Sequence, residues 1–205
     1  VTAAVVAGYS LAFPDRWFPL PAGDASDWAG PLASDILSGT AAAQDEASLA
    51  SLGRELRQVE ESARGVALPA QTAAVLARTP GETSLDAMVV VGIHPEGTRG
   101  AFEQRIAELR DGVIGGGEIM SFTQIESEAP AGAVVGCHTL VGYLDADAGS
   151  GVAHLEERVV LGVCPDVVRG VVEVTAISSS LTSFDDMAQE ILDLLGGLTV
   201  QTEPL

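Results

Sequence analysis

The chain has 205 residues, 47% hydrophobic and 19% charged, with a mean hydropathy of +0.30 and a formal net charge of −19. A chain of this size buries roughly two-thirds of its unfolded surface, so it is globular, and no apolar run approaches the about 20 residues a membrane helix needs. Its 29 acids face 10 bases, all of them arginine; this balance repels phosphate backbones and anionic lipid, and the lack of lysine excludes Schiff-base and pyridoxal chemistry on a lysine of this chain.

Tyr9 to Phe13 alternates ahead of the turn signal Pro14-Asp15 and predicts a first strand. Trp17, Phe18 and Leu20 follow among prolines, in an exposed loop pinned to the core. Asp27 is placed to cap a short helix through about Leu37, with Trp28, Leu32 and Ile36 on one side. From Ala41 to about Arg64 the apolar positions Leu49, Leu52, Leu56, Val59 and Ala63 recur at helical spacing, while Arg54, Glu55, Arg57, Glu60 and Glu61 fill the other face. Thr40 is the expected N-cap, Gly65 the stop, and Glu60 with Arg64 an ion pair one turn apart. The stripe spans barely two heptads, which favours packing on the chain's own sheet over a seam for self-association.

Leu85 to His94 reads as a buried strand and Thr98 to Arg110 as a helix with Phe102, Ile106 and Leu109 on one face. Four β runs follow: Glu118 to Glu126, Ala133 to Leu144, Val152 to Cys164 and Gly170 to Ser178. Their short connectors predict a sequential antiparallel meander. Ser183-Phe184-Asp185-Asp186 reads as a capping box opening a last helix, buried along Phe184, Met187, Ile191 and Leu194. The architecture expected is α+β in a single domain spanning 1–205, helix-rich over 1–80, with the antiparallel sheet and its closing helix over 81–200 and helices packed on one sheet face.

A regular hairpin centred on Ala148 would pair Cys137 with Val160, His138 with Val159 and Tyr143 with His154. His138 and His154 then face opposite ways and form no common site. Cys137 and Cys164 share a face but lie roughly 13 Å apart along the strand, too far for a bridge, so both are read as buried free thiols. Asp145, Asp147 and Glu156 imitate EF-hand spacing, yet Ser150 stands at the required glycine and strands flank the loop, so no metal is expected. Gly115-Gly116-Gly117 lacks phosphate-loop spacing and reads as a turn. The segment from Val1 to Ala7 has no basic region or cleavage pattern, and the compartment expected is cytoplasmic.

The order of elements, opened by Phe13-Pro14-Asp15-Arg16-Trp17 and closed by the helix starting Ser183-Phe184-Asp185, resembles the PsbP-like superfamily. That superfamily includes photosystem accessory subunits, a Ran-binding import factor, DcrB-type envelope proteins and secretion-system adaptor chaperones. The resemblance implies a non-catalytic module that binds another protein through its sheet or an apolar groove. The helix from Ala41 to Arg64 has no counterpart in that pattern.

The leading expectation is therefore a protein-binding adaptor or accessory module, associated with secretion or assembly, without cofactor or metal. One sheet face, carrying Val134, Leu140, Leu144, Leu155, Val159, Leu161 and Val163, is expected under helices. A partner with a basic surface would use the opposite face around Tyr143, His154, Glu156 and Arg158, or the loop bearing Trp17 and Phe18. The alternative is a small-ligand binder or enzyme with a site near His94 and Glu96, in a pocket between the first-third helices and the sheet. Titratable side chains converging within hydrogen-bond reach in an apolar cleft would favour it.

Overall fold

β-branched runs dominate the second half of the chain, and pairing them builds the scaffold on which everything else is placed. A computed structural model describes residues 4–21, 27–66, 68, 71–78, 81–110, 112–114, 116–144 and 152–204. In chain order the elements are β1 (Ala4–Leu11), β2 (Trp17–Pro19), α1 (Ala29–Ile36), α2 (Glu46–Gly65), β3 (Thr72–Leu76), β4 (Ala87–His94), α3 (Arg99–Arg110) and β5 (Val113–Ile114). Then come β6 (Gly117–Ala129), β7 (Gly132–Leu144), β8 (Val152–Cys164), β9 (Val168–Arg169), β10 (Val171–Ser178), α4 (Met187–Leu194) and β11 (Leu198–Pro204). The fold is α+β. An eight-stranded antiparallel sheet runs β2-β3-β4-β10-β8-β7-β6-β5, and a three-stranded sheet runs β11-β1-β9. No helix among the described residues is long and apolar enough to cross a membrane.

The expected meander is present as β6, β7, β8 and β10, side by side. The expected register also holds: Cys137 pairs with Val160, His138 with Val159 and Tyr143 with His154. β4 and β10 lie at the centre and are buried on both faces, which is why they read as continuous apolar runs rather than alternating ones.

Alternation along the strands divides the core in two. One face carries Val89, Val91, Val134, Val159, Leu161, Val163, Val172 and Val174, and it is closed by the small sheet together with Met187, Ile191 and Leu194 of α4. Leu140 and Leu155 lie further out on this face and are half-buried. The other, which we call the helix face, takes α1 and α2 over β2, β3 and β4, with Leu52 and Leu56 against Val75, Met88 and Val90. On the same face Phe102 and Ile106 of α3 pack on Val135, Cys137, Cys164 and Val171. Gly162 makes that docking possible, because a Cβ there would stand 2.6 Å from the Phe102 ring.

Several local expectations are corrected. Trp17 and Phe18 are not in an exposed loop: they form β2, and their side chains enter opposite faces, Trp17 only 7% exposed in the first core and Phe18 half-buried against the second. The long helix begins five residues later than expected, after a 3-10 turn at Ala41–Gln44, and its N-cap is Asp45, which accepts from the Ser48 amide at 3.0 Å. Thr40 instead donates its hydroxyl to the Leu37 carbonyl. α1 has no side-chain cap, its N-cap position being Trp28 rather than Asp27. Asp186 caps α4 through the Gln189 amide at 2.9 Å, while the Ser183 hydroxyl is drawn away to Asp86 and Ser180. β3, β5, β9 and β11 were not anticipated; three are short and the fourth is polar at alternate positions at the end of the chain. The acidic tip 145–151 and the Leu144 side chain fall outside the described residues.

Candidate functional site

The helix face is roofed at its two ends but not between them. α2 and α3 stand on either side of a cleft of about 700 Å³, within the roughly 300–1,000 Å³ typical of small-ligand sites. Its walls are Val59, Ser62 and Val66 from α2 and Leu109 from α3, with Leu85 and Met88 at the β4 end. Val160 and Ile177 add apolar floor. Two polar pairs cross that floor: Glu156 with Arg158 on β8, and Glu173 with Thr175 on β10. Side chains two apart on a strand share a face, so each pair points into the cleft.

Glu173 is the hub of the inner end and is 5% exposed. Its Oε2 is 2.7 Å from His94 Nε2 and also bonds the Arg105 guanidinium, while Oε1 accepts from the Thr175 hydroxyl at 3.1 Å. A buried carboxylate without such partners would be strongly destabilising; here both oxygens are engaged. Arg105 is stacked over Phe102 at 4.6 Å and forms the wall between the main cleft and a second pocket of about 290 Å³ lined by His94, Glu96, Thr98 and Val171. The convergence of titratable groups set out as the mark of a ligand site is thus met at His94, but by Glu173 and Arg105 rather than by Glu96, which makes no side-chain hydrogen bond among the described residues.

The outer end brings together four of the six expected binding residues. Arg158 pairs with Glu156 through Nε and donates from Nη2 to the Tyr143 hydroxyl at 2.8 Å. The Tyr143 and His154 rings lie 5.7 Å apart, and the Ser179 hydroxyl at the cleft mouth is 3.3 Å from His154 Nε2. Trp17 and Phe18 are remote from this cluster, in the two cores. No carboxylate bonds the other His154 nitrogen among the described residues, so the serine and histidine lack the orienting acid of a nucleophilic site. Neither thiol is activated: burial pushes Cys137 up to about 11 and raises Cys164 as well, and both are buried and unbridged. Among the described residues no group of three His, Cys, Asp or Glu side chains is placed to hold a metal.

Glu55 on α2 differs from the other acids of the cleft. It was expected on the solvent side of the helix, yet it is half-buried and turned toward the cleft. Its Oε1 accepts from the Leu85 amide at 2.8 Å, and no cation reaches it among the described residues. Burial raises its pKa, the Leu85 bond opposes that, and the neighbouring charge of Asp86 adds to the rise. Asp86 itself is engaged by the Arg78 amide at 2.7 Å and the Ser183 hydroxyl at 2.6 Å. Glu173 could have been suspected from sequence, as a lone acid inside Val171-Val172-Glu173-Val174; Glu55 could not, because helical spacing leaves it on the boundary of the polar arc.

No protein-family model matches the chain, and no curated protein matches it.

Proposed function

We propose that the chain is a non-catalytic binding protein whose cleft between α2 and α3 takes a small cationic ligand with an apolar body. The observation that carries this reading is Glu55: a half-buried carboxylate, raised in pKa by burial, with one oxygen on an amide and, among the described residues, no cation beside it. Both arginines that line the cleft are already committed, Arg105 to Glu173 and Arg158 to Glu156. An anionic ligand would therefore have to displace an existing ion pair, whereas an amine or guanidinium gains a desolvated acceptor that nothing else neutralises. The apolar walls at Val59, Val66, Leu109 and Met88 supply area for a hydrocarbon or aromatic body. The PsbP-like resemblance, which implies a non-catalytic module that binds another protein through its sheet or an apolar groove, agrees with this reading in the lack of catalysis and the use of a groove, not in the class of ligand.

The test is calorimetric titration of the protein with 2-phenylethylamine, its guanidine analogue and the charge-inverted isostere 3-phenylpropionate. The two cations are expected to bind and the carboxylate not to. Glu55→Gln should weaken cation binding by about tenfold, equivalent to about 1.4 kcal/mol, while Glu61→Gln, outside the cleft, should leave it unchanged. Equal binding of amine and carboxylate, or equal losses in the two variants, overturns the reading.

A further inference from the structure

The two edges of the large sheet are unlike. β2 is three residues long and ends in Pro19, whose ring nitrogen cannot donate to another strand. At the opposite end β5 covers only Gly117 and Glu118 of β6. Among the described residues no strand lies on the side of β6 away from β7 between Ile119 and Ala129, about 36 Å of open hydrogen-bonding edge at strand rise.

An open edge of that length is normally blunted by proline, lysine, an inward-pointing charge or a bulge. β6 has a bulge between Ile119 and Ser121 and acids at Glu126 and Glu128, but the stretch Ser121-Phe122-Thr123-Gln124-Ile125 carries no charge, proline or glycine. The chemistry along the edge also has a direction. Gln124, Glu126 and Glu128 stand at alternate positions on the helix face, while Ser121, Thr123 and Ser127 occupy the other face. Glu126 and Glu128 are exposed; Arg99, on which the Glu126 charge acts, is held at 2.7 Å by Glu103, and Arg110 is stacked over the Phe122 ring at 5.0 Å. Among the described residues neither acid has an arginine in ion-pair contact.

We infer that the β6 edge is a docking site, separate from the cleft, for an extended segment of another protein bearing basic side chains at alternate positions. Main-chain hydrogen bonds to residues 119–129 give such a segment its affinity, and cross-strand pairs with Glu126 and Glu128 set its register. β-branched residues at the intervening positions lie beside Ser121, Thr123 and Ser127. A second copy of this chain is a poor occupant, because each copy brings a net charge of −19 and no base on its own β6.

The experiment uses the intact protein and a synthetic ten-residue peptide alternating arginine with valine or threonine. Three comparators accompany it: the same peptide methylated along its backbone nitrogens, the glutamate-for-arginine version, and the protein variant Glu126→Lys/Glu128→Lys. Binding at physiological salt is expected for the parent peptide, with slowed amide hydrogen exchange confined to residues 119–129. Backbone methylation and the double substitution should each weaken binding at least about tenfold, and the double variant should gain affinity for the acidic peptide. Undiminished binding of the methylated peptide shows attraction of charge without strand addition and overturns the inference. Protection elsewhere than on β6, or sedimentation of the free protein as a dimer protected at 119–129, overturns it too.

Discussion

Val167 adopts a φ of 54° while remaining 85% exposed. A β-branched residue in the left-handed region costs about 1–2 kcal/mol, and an exposed side chain recovers little of that by packing. Val167→Gly is therefore expected to stabilise the protein by about 1 kcal/mol, less than the full strain because glycine gives the unfolded chain more freedom. For a chain of this length that corresponds to a rise in Tm of about 2–4 °C by calorimetry; a lower Tm would refute it. Arg16 also has a positive φ, 75°, but its guanidinium bonds the Arg78 carbonyl, so the same reasoning does not transfer to it. Glu55 supplies the second prediction at this scale. Its folded pKa is raised above the ordinary 4.5, so the folded state holds this proton more tightly than the unfolded one. The resulting stability is fully present below the ordinary value and lost as pH rises through the raised one. Glu55→Gln should show a flatter decline of Tm from about pH 4 upward than the unsubstituted protein; parallel profiles would contradict the assignment.

At the scale of elements, α3 forms one wall of the cleft. It bears on the sheet through Phe102 and Ile106, and Phe102 fits only because position 162 has no side chain. Gly162→Val drives a branched side chain into that ring and should cost about 1–3 kcal/mol. The sign of where the damage falls is more informative than its size: amide exchange should accelerate in Arg99–Arg110 while β4 and β10 stay protected. Uniform acceleration would mean that α3 is not independently seated. The wall opposite is fixed more firmly, since Leu52 and Leu56 of α2 are fully buried against Val75, Met88 and Val90. Sequence period was sufficient to find both helices. It also found the start of α3, where Thr98 accepts from the Ala101 amide, but failed at the starts of α2 and α4, because several capping residues sit within reach and only the fold decides which one meets the exposed amides; Asp45 displaced Thr40, and Asp86 claimed Ser183.

For the whole molecule, the excess of acids over bases is the dominant fact. A net charge of −19 concentrated on 21.0 kDa repels itself in the folded state more than in the expanded one. Raising ionic strength from about 0.01 M to about 1 M shortens the screening length from about 30 Å to about 3 Å, so Tm should rise steadily with sodium chloride. A falling Tm would show that the surface ion pairs, such as Arg64 with Glu60 and Arg99 with Glu103, outweigh the long-range repulsion. The same field bears on both proposed sites, drawing a cationic ligand toward the cleft and a basic segment toward β6, and salt should weaken both associations.

The sequence alone determined what depends on near neighbours along the chain. Alternation located the long strands, and a hairpin centre expected at Ala148 predicted the observed pairing of β7 with β8 to the residue, where a one-place slip would turn every side chain over. Burial of both thiols followed from their place in apolar runs, and their lack of a bridge and the opposed directions of His138 and His154 from that register. The tertiary structure decided what depends on distant segments meeting. β3 and β11 are strands because partners exist for them at β4 and β1, and Trp17 is core because β2 adds to the sheet edge. The cleft belongs wholly to this second class: Glu55 and Glu173 are separated by most of the chain, and neither has a local pattern that announces the other. They share a site because α2 and α3 roof one sheet face from opposite ends and leave the middle open.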